Sequence, residues 1–325
     1  MVTFEKESKM LVFFLVLFST TLYSSFNVKL NDIVSDYAFS VPEHTYHRYC
    51  KNVYSQNGED GILEQLLKEL NITAGTFCEF GASDGVQSSN TYNLIQKGFT
   101  GVAIEIDQKR YERCIQNYSA YPDIKVYHGA VLYNHAGYNL DTWLKKADLP
   151  YDFDILSIDI DCDDYYVWEN MRNFSPKIVI LETNSYRDPV YDELPRKISQ
   201  EYTIDPLKQW CPAMVGIGCS FISAVKLGLD KGYIPVSYTG NITFVRKDLI
   251  DKLKEFPTIV SQDPYDYLKL YSHLVLWGNR WKINTGLILN VAIRDYYLHF
   301  KHKYIDISWI NMRMQEIINN EQVIF

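Results

Sequence analysis

Five short apolar runs, 76–81, 101–106, 125–129, 154–160 and 177–182, constrain this chain most, because segments of helical spacing fall between them. Those segments, roughly 88–97, 108–119, 138–147 and 163–172, predict helices. Strands that alternate with helices pack as a parallel sheet covered on both faces. Ile62, Leu63, Leu66, Leu67 and Leu70 fall on one stripe and predict a helix ahead of the first run. Another is expected over Gly216–Asp230, with Gly232 as its stop. Tyr233–Tyr238, Thr239-Gly240 and Asn241–Arg246 then read as strand, tight turn, strand. The expected fold is α/β and Rossmann-like: a mostly parallel, doubly wound sheet closed by an antiparallel hairpin.

The ends of the first two runs carry the chemistry. Thr76-Phe-Cys-Glu-Phe-Gly-Ala-Ser-Asp-Gly85 takes an apolar strand into a glycine-bearing turn, and Gly101-Val-Ala-Ile-Glu-Ile-Asp107 takes the next into an acid. Open parallel sheets build nucleoside sites this way: glycine lets the backbone approach the ligand, and a carboxylate accepts from ribose hydroxyls. Here the turn reads E-x-G-x-x-D-G. An acidic turn does not suit a pyrophosphate and does suit a sulfonium, so the expected cofactor is S-adenosylmethionine (SAM). The turn residues Gly81, Ala82, Asp84 and Gly85 are expected around its methionine part. Glu79 or Asp84 is placed to face the amino group, and Glu105 the ribose.

Composition narrows the partners. The 325 residues carry a net charge of -8 with no basic cluster, which argues against nucleic acid as a partner. Met10 to Tyr23 is apolar and follows Lys6 and Lys9, yet is shorter than the ~20 residues a membrane span needs. Residues 1–25 therefore read as a signal peptide or signal anchor and 26–50 as a stalk. A core domain over 51–250 and a helical extension over 251–325 complete the expected organisation. Asn-x-Ser/Thr triplets at Asn71, Asn117, Asn173 and Asn241 gain meaning if the chain enters the secretory pathway. The six cysteines show no zinc spacing.

Taken in order, these motifs resemble the FkbM-like branch of SAM-dependent methyltransferases. The carriers are Tyr54-Ser-Gln-Asn-Gly-Glu-Asp-Gly61, Glu79–Gly85 with Ser89-Asn-Thr91, and Ile104-Glu-Ile-Asp107. Leu156-Ser-Ile-Asp-Ile-Asp161, Val179-Ile-Leu-Glu-Thr-Asn184, Gly218-Cys-Ser220 and Lys231-Gly-Tyr233 follow. The resemblance spans residues 54 to 250 and implies a class I methyltransferase domain. It further implies that Ala130 lies near adenine and that the 54–61 segment folds over the cofactor. Where relatives carry Gly-Asn after the fourth strand, this chain has Cys162-Asp163.

The acceptor side falls to acids. Asp159 and Asp161 share a face of an extended chain and repel unless something cationic lies between them. With Glu182 at the neighbouring strand's end they form the expected catalytic set, and oxygen ligands so placed could hold Mg2+ or another divalent cation. The expected reaction is O-methylation of a small-molecule or glycan acceptor, or of another in the secretory pathway, and a lumenal enzyme of this kind needs imported cofactor. The D-x-D at 159–161 is shared with metal-dependent glycosyltransferases, which form one alternative. A non-enzymatic secreted or membrane-tethered protein that retains the fold is the other.

Overall fold

The computed structural model describes residues 46–160, 163–184, 192, 194, 218–254, 260–264, 266 and 267. The N-terminal apolar run, Asp161, most of 185–217 and most of the C-terminal extension lie outside them.

A 3-10 turn at Tyr46–Tyr49 leads to α1 (Glu59–Glu69), then β1 (Thr76–Phe80), α2 (Tyr92–Ile95), β2 (Thr100–Glu105) and α3 (Gln108–Asn117). β3 (Ile124–His128), α4 (Leu140–Lys146), β4 (Ile155–Ile158), α5 (Asp164–Asn170) and β5 (Ile178–Glu182) follow. α6 (Phe221–Asp230), β6 (Tyr233–Tyr238), β7 (Asn241–Arg246) and a 3-10 turn at Lys247–Lys252 close the described chain. The strand order is β3-β2-β1-β4-β5-β7-β6, parallel through β5, with β7 antiparallel to both its neighbours. That order and the terminal hairpin are those of the class I methyltransferase fold, as the alternating runs predict.

The central strands β1, β4 and β5 are almost wholly buried, which is why they read as continuous apolar runs. α1 buries its predicted stripe, Ile62, Leu63, Leu66 and Leu67. Three helices open on side-chain caps. Asp107 accepts from Arg110 N, Asn139 from Thr142 N, and Ser220 from Ser223 N.

The helix expected over 88–97 shrinks to the four residues of α2. Ser89, Asn90 and Thr91, which would form its first turn, give their donors instead to Glu79 of β1. Residues 81–91 therefore remain a turn, with Ser83 and Ser88 left-handed at φ 52° and 60°. The folded part begins no later than Tyr46, which is fully buried and donates its hydroxyl to Glu69 Oε2 at 2.5 Å.

Candidate functional site at the carboxyl edge of the sheet

Register brings the separate motifs into one line. Phe80 pairs with both Ile104 and Ile158, Ile158 pairs with Leu181, and Glu182 pairs with Asn241. One residue further along each parallel strand, Glu105, Gly81, Asp159 and Glu182 stand level on adjacent strands β2, β1, β4 and β5. His128 extends the row beside Glu105, and Asn241 extends it beside Glu182. The row crosses the point between β1 and β4 where the strand order reverses, the usual ligand crevice of open α/β sheets.

Glycine is needed at two positions of the turn. Gly81 has φ 72°, and a Cβ there would lie 1.7 Å from the carbonyl oxygen of Asp159. Its absence lets the end of β1 close against the end of β4. Gly85 has φ 81°, and a Cβ there would meet the Tyr118 ring at 2.7 Å and Cys114 Sγ at 2.8 Å. Tyr118 then donates its hydroxyl to Gly85 O at 2.6 Å, fastening the turn to α3.

The three acids around the turn already hold hydrogen bonds. Glu105 is buried, and its Oε2 accepts from Ser83 N and its Oε1 from Asp107 N, both at 2.7 Å. Asp84 Oδ1 accepts from Val86 N at 3.0 Å and Gln87 N at 2.8 Å. Glu79 is buried and accepts from Asn90 N at 2.8 Å, Ser89 Oγ at 2.8 Å and Thr91 Oγ1 at 2.7 Å. Burial raises its pKa above the usual carboxylate value against the pull of those donors. Asn90 Nδ2 donates to Ser157 Oγ at 3.0 Å, tying the same loop to β4.

The backbone donors of the turn are committed as well. Gly81 N and Ala82 N both donate to Ile104 O, and Gly85 N donates to Ala82 O. With Ser83, Val86 and Gln87 donating to carboxylates, few amides are left to cradle a phosphate. The turn offers carboxylate oxygens, suited to hydroxyl donors and cations.

The remaining expected residues fall as follows. Ala130 is buried beyond β3, and its carbonyl accepts from Trp143 Nε1 at 2.8 Å. Asp159 and Glu182 are half-buried at the ends of β4 and β5. Asp164 is buried and accepts from Ile160 N at 2.7 Å, shaping the bend after β4. Asp161 lies outside the described residues. Among those described, no group of three or more His, Cys, Asp or Glu is placed to hold a metal ion. His128 Nε2 lies 2.8 Å from Ile106 O and its ring stacks on Tyr111, so it serves the edge of the sheet.

Sequence reasoning gave too little weight to Glu59 and Asp60. Both are fully buried, and Glu59 Oε1 accepts from Thr239 Oγ1 at 2.7 Å across 180 residues. The only signal was the resemblance at Tyr54–Gly61, because a helix-start acid normally reads as an exposed one.

No family model matches the chain, and no curated protein matches it. Solved structures do. A TehB-like SAM-dependent methyltransferase from Corynebacterium glutamicum is 10% identical, with a TM-score of 0.33, over 70% of this chain and 100% of that one. The N-terminal domain of EvdMO1 with SAH bound is 10% identical, with a TM-score of 0.36, over 59% and 80%. An S-adenosylmethionine-dependent methyltransferase from Clostridium acetobutylicum is 10% identical, with a TM-score of 0.27, over 51% and 61%. The fold assignment rests on strand order and register, not on these likenesses.

Proposed function

We propose that the chain is a SAM-dependent methyltransferase acting on an oxygen of a hydroxyl-rich acceptor of the glycan kind. The observation that carries this reading is the row Glu105, Gly81, Asp159 and Glu182, level on four adjacent strands across the switch point. When bound, the cofactor supplies an electrophilic methyl group on a sulfonium. Glu105, held by two amides, keeps a lone pair on each oxygen for the ribose hydroxyls. Gly81 through Gly85 border the nucleoside, with Ala82 and Asp84 on the methionine side and Ala130 by the base. Glu79 acts through the loop it fastens. Asp159 and Glu182, together with Asp161, orient the acceptor hydroxyl and take its proton.

One observation weighs against a sugar-nucleotide enzyme: the amides of the turn are committed within the protein. The reading includes a place in the secretory pathway. It is supported by the apolar run at 10–23 and by exposed Asn71 and Asn117 in Asn-x-Ser/Thr triplets. Asn241 is excluded from glycosylation, because it is buried with Nδ2 facing Glu59.

Calorimetry with S-adenosylhomocysteine tests the cofactor half. Wild-type protein should bind one equivalent, and Glu105→Ala should bind at least tenfold more weakly. A folded wild type that gives no heat would remove the reading.

A further inference from the structure

The segment from Val53 to Asp60 is anchored at two separate places. At one end the Tyr54 hydroxyl accepts from Gln96 Nε2 at 2.8 Å, and its ring meets Tyr92 edge-on with centroids 4.7 Å apart. At the other, Glu59 Oε1 accepts from Thr239 Oγ1 at 2.7 Å and Asn241 Nδ2 at 3.4 Å. The first anchor follows the turn after β1 and the second opens β7, and β4 and β5 stand between them. Between the anchors the loop is compact: Lys51 N donates to Gly58 O, Gly61 N to Lys51 O, and Asn52 Nδ2 to Gln56 O. Glu59, and Asp60 next to it, therefore stand by the β5 end of the row, because Asn241 pairs with Glu182.

Asp60 shapes this loop with one oxygen only. Its Oδ2 accepts from Val53 N at 2.8 Å and from Tyr54 N and Ser55 N at 2.7 Å, while its own amide donates to Ser55 Oγ. The residue is 1% exposed, and its Oδ1 accepts no hydrogen bond. A buried carboxylate oxygen without a donor is costly, and such a group asks for a partner that brings one. Burial raises the pKa of Glu59 and of Glu79, and the nearby charge of Asp60 adds to both. This interior is acidic, and its carboxylates do not form a metal-ligand group. An ammonium group supplies both the missing donor and the missing charge.

We propose that Asp60 Oδ1 is an ammonium receptor in the cofactor site, taking the α-amino group of SAM. The proposal rests on the methyltransferase reading. Asp60→Asn isolates it, because an amide can set its oxygen on the three backbone donors and place an NH2 where Oδ1 stood.

Calorimetry on the full chain compares S-adenosylhomocysteine with 5′-methylthioadenosine, which keeps the nucleoside and lacks the amino-acid part. Asp60→Asn should weaken S-adenosylhomocysteine binding at least tenfold and leave methylthioadenosine within twofold. Equal loss for both ligands, or no loss for either, overturns the assignment. If the variant fails to fold, the deamino analogue of S-adenosylhomocysteine decides on wild type alone: binding as tight as the parent overturns the proposal. A wild type that binds none of these ligands sinks the methyltransferase reading, and this assignment with it.

Discussion

Single carboxylates do different jobs here according to what surrounds them. Glu105 holds two amides, so Glu105→Ala removes the proposed ribose acceptor and also strands Ser83 N and Asp107 N. It should cost about 1–3 kcal/mol of unfolding free energy besides its effect on binding. Chemical denaturation checks this, and a variant as stable as wild type would mean those amides find water instead.

Glu79 offers a pH test. Burial raises its folded pKa above the unfolded value near 4.5. Its contribution is therefore fully present below pH 4.5 and fades as pH rises through the folded value. Wild type should be more stable relative to Glu79→Gln at pH 5 than at pH 8. A difference that stays flat or grows with pH would contradict the assigned direction.

Among the elements, the β1 turn is where backbone freedom matters most. Gly81→Ala meets both a left-handed φ and the Asp159 carbonyl, and should cost ~2–5 kcal/mol. Gly98 is the control: its φ is 86°, but a Cβ there meets nothing within 4 Å, so Gly98→Ala should cost only about 1 kcal/mol. Urea midpoints measure both, and equal losses would show that the contact with β4 is immaterial.

The strands were legible in the sequence because burial on both faces leaves unbroken apolar runs, and Tyr233–Arg246 showed its hairpin through Thr239-Gly240. The shortness of α2 was not, because the carboxylate that captures Ser89, Asn90 and Thr91 sits on a different element. Glu79 likewise reads as a site acid in one dimension and as a fastening from inside in three. The level row was hidden for the same reason: register between β1, β4 and β5 is set by packing and leaves no spacing in the chain.

At the scale of the whole molecule, the N-terminal segment and the C-terminal hairpin close on each other through Glu59 and Thr239. Thr239→Val removes a donor to a buried carboxylate and should free this contact. Hydrogen exchange at Asn57, whose amide donates to Glu59 Oε2, should then quicken while β1 and β4 amides hold their rates. Uniform quickening would instead mean global destabilisation. This long-range tie makes the loop ahead of α1 part of the fold at the same edge of the sheet as Glu182 and Asn241.

The central claim, a SAM site at that edge, is tested most directly by a crystal structure of the protein with S-adenosylhomocysteine. The nucleoside should lie beside the Gly81–Gly85 turn with its ribose hydroxyls on the Glu105 carboxylate. Saturating ligand that binds elsewhere, or leaves this edge without density, would contradict the account.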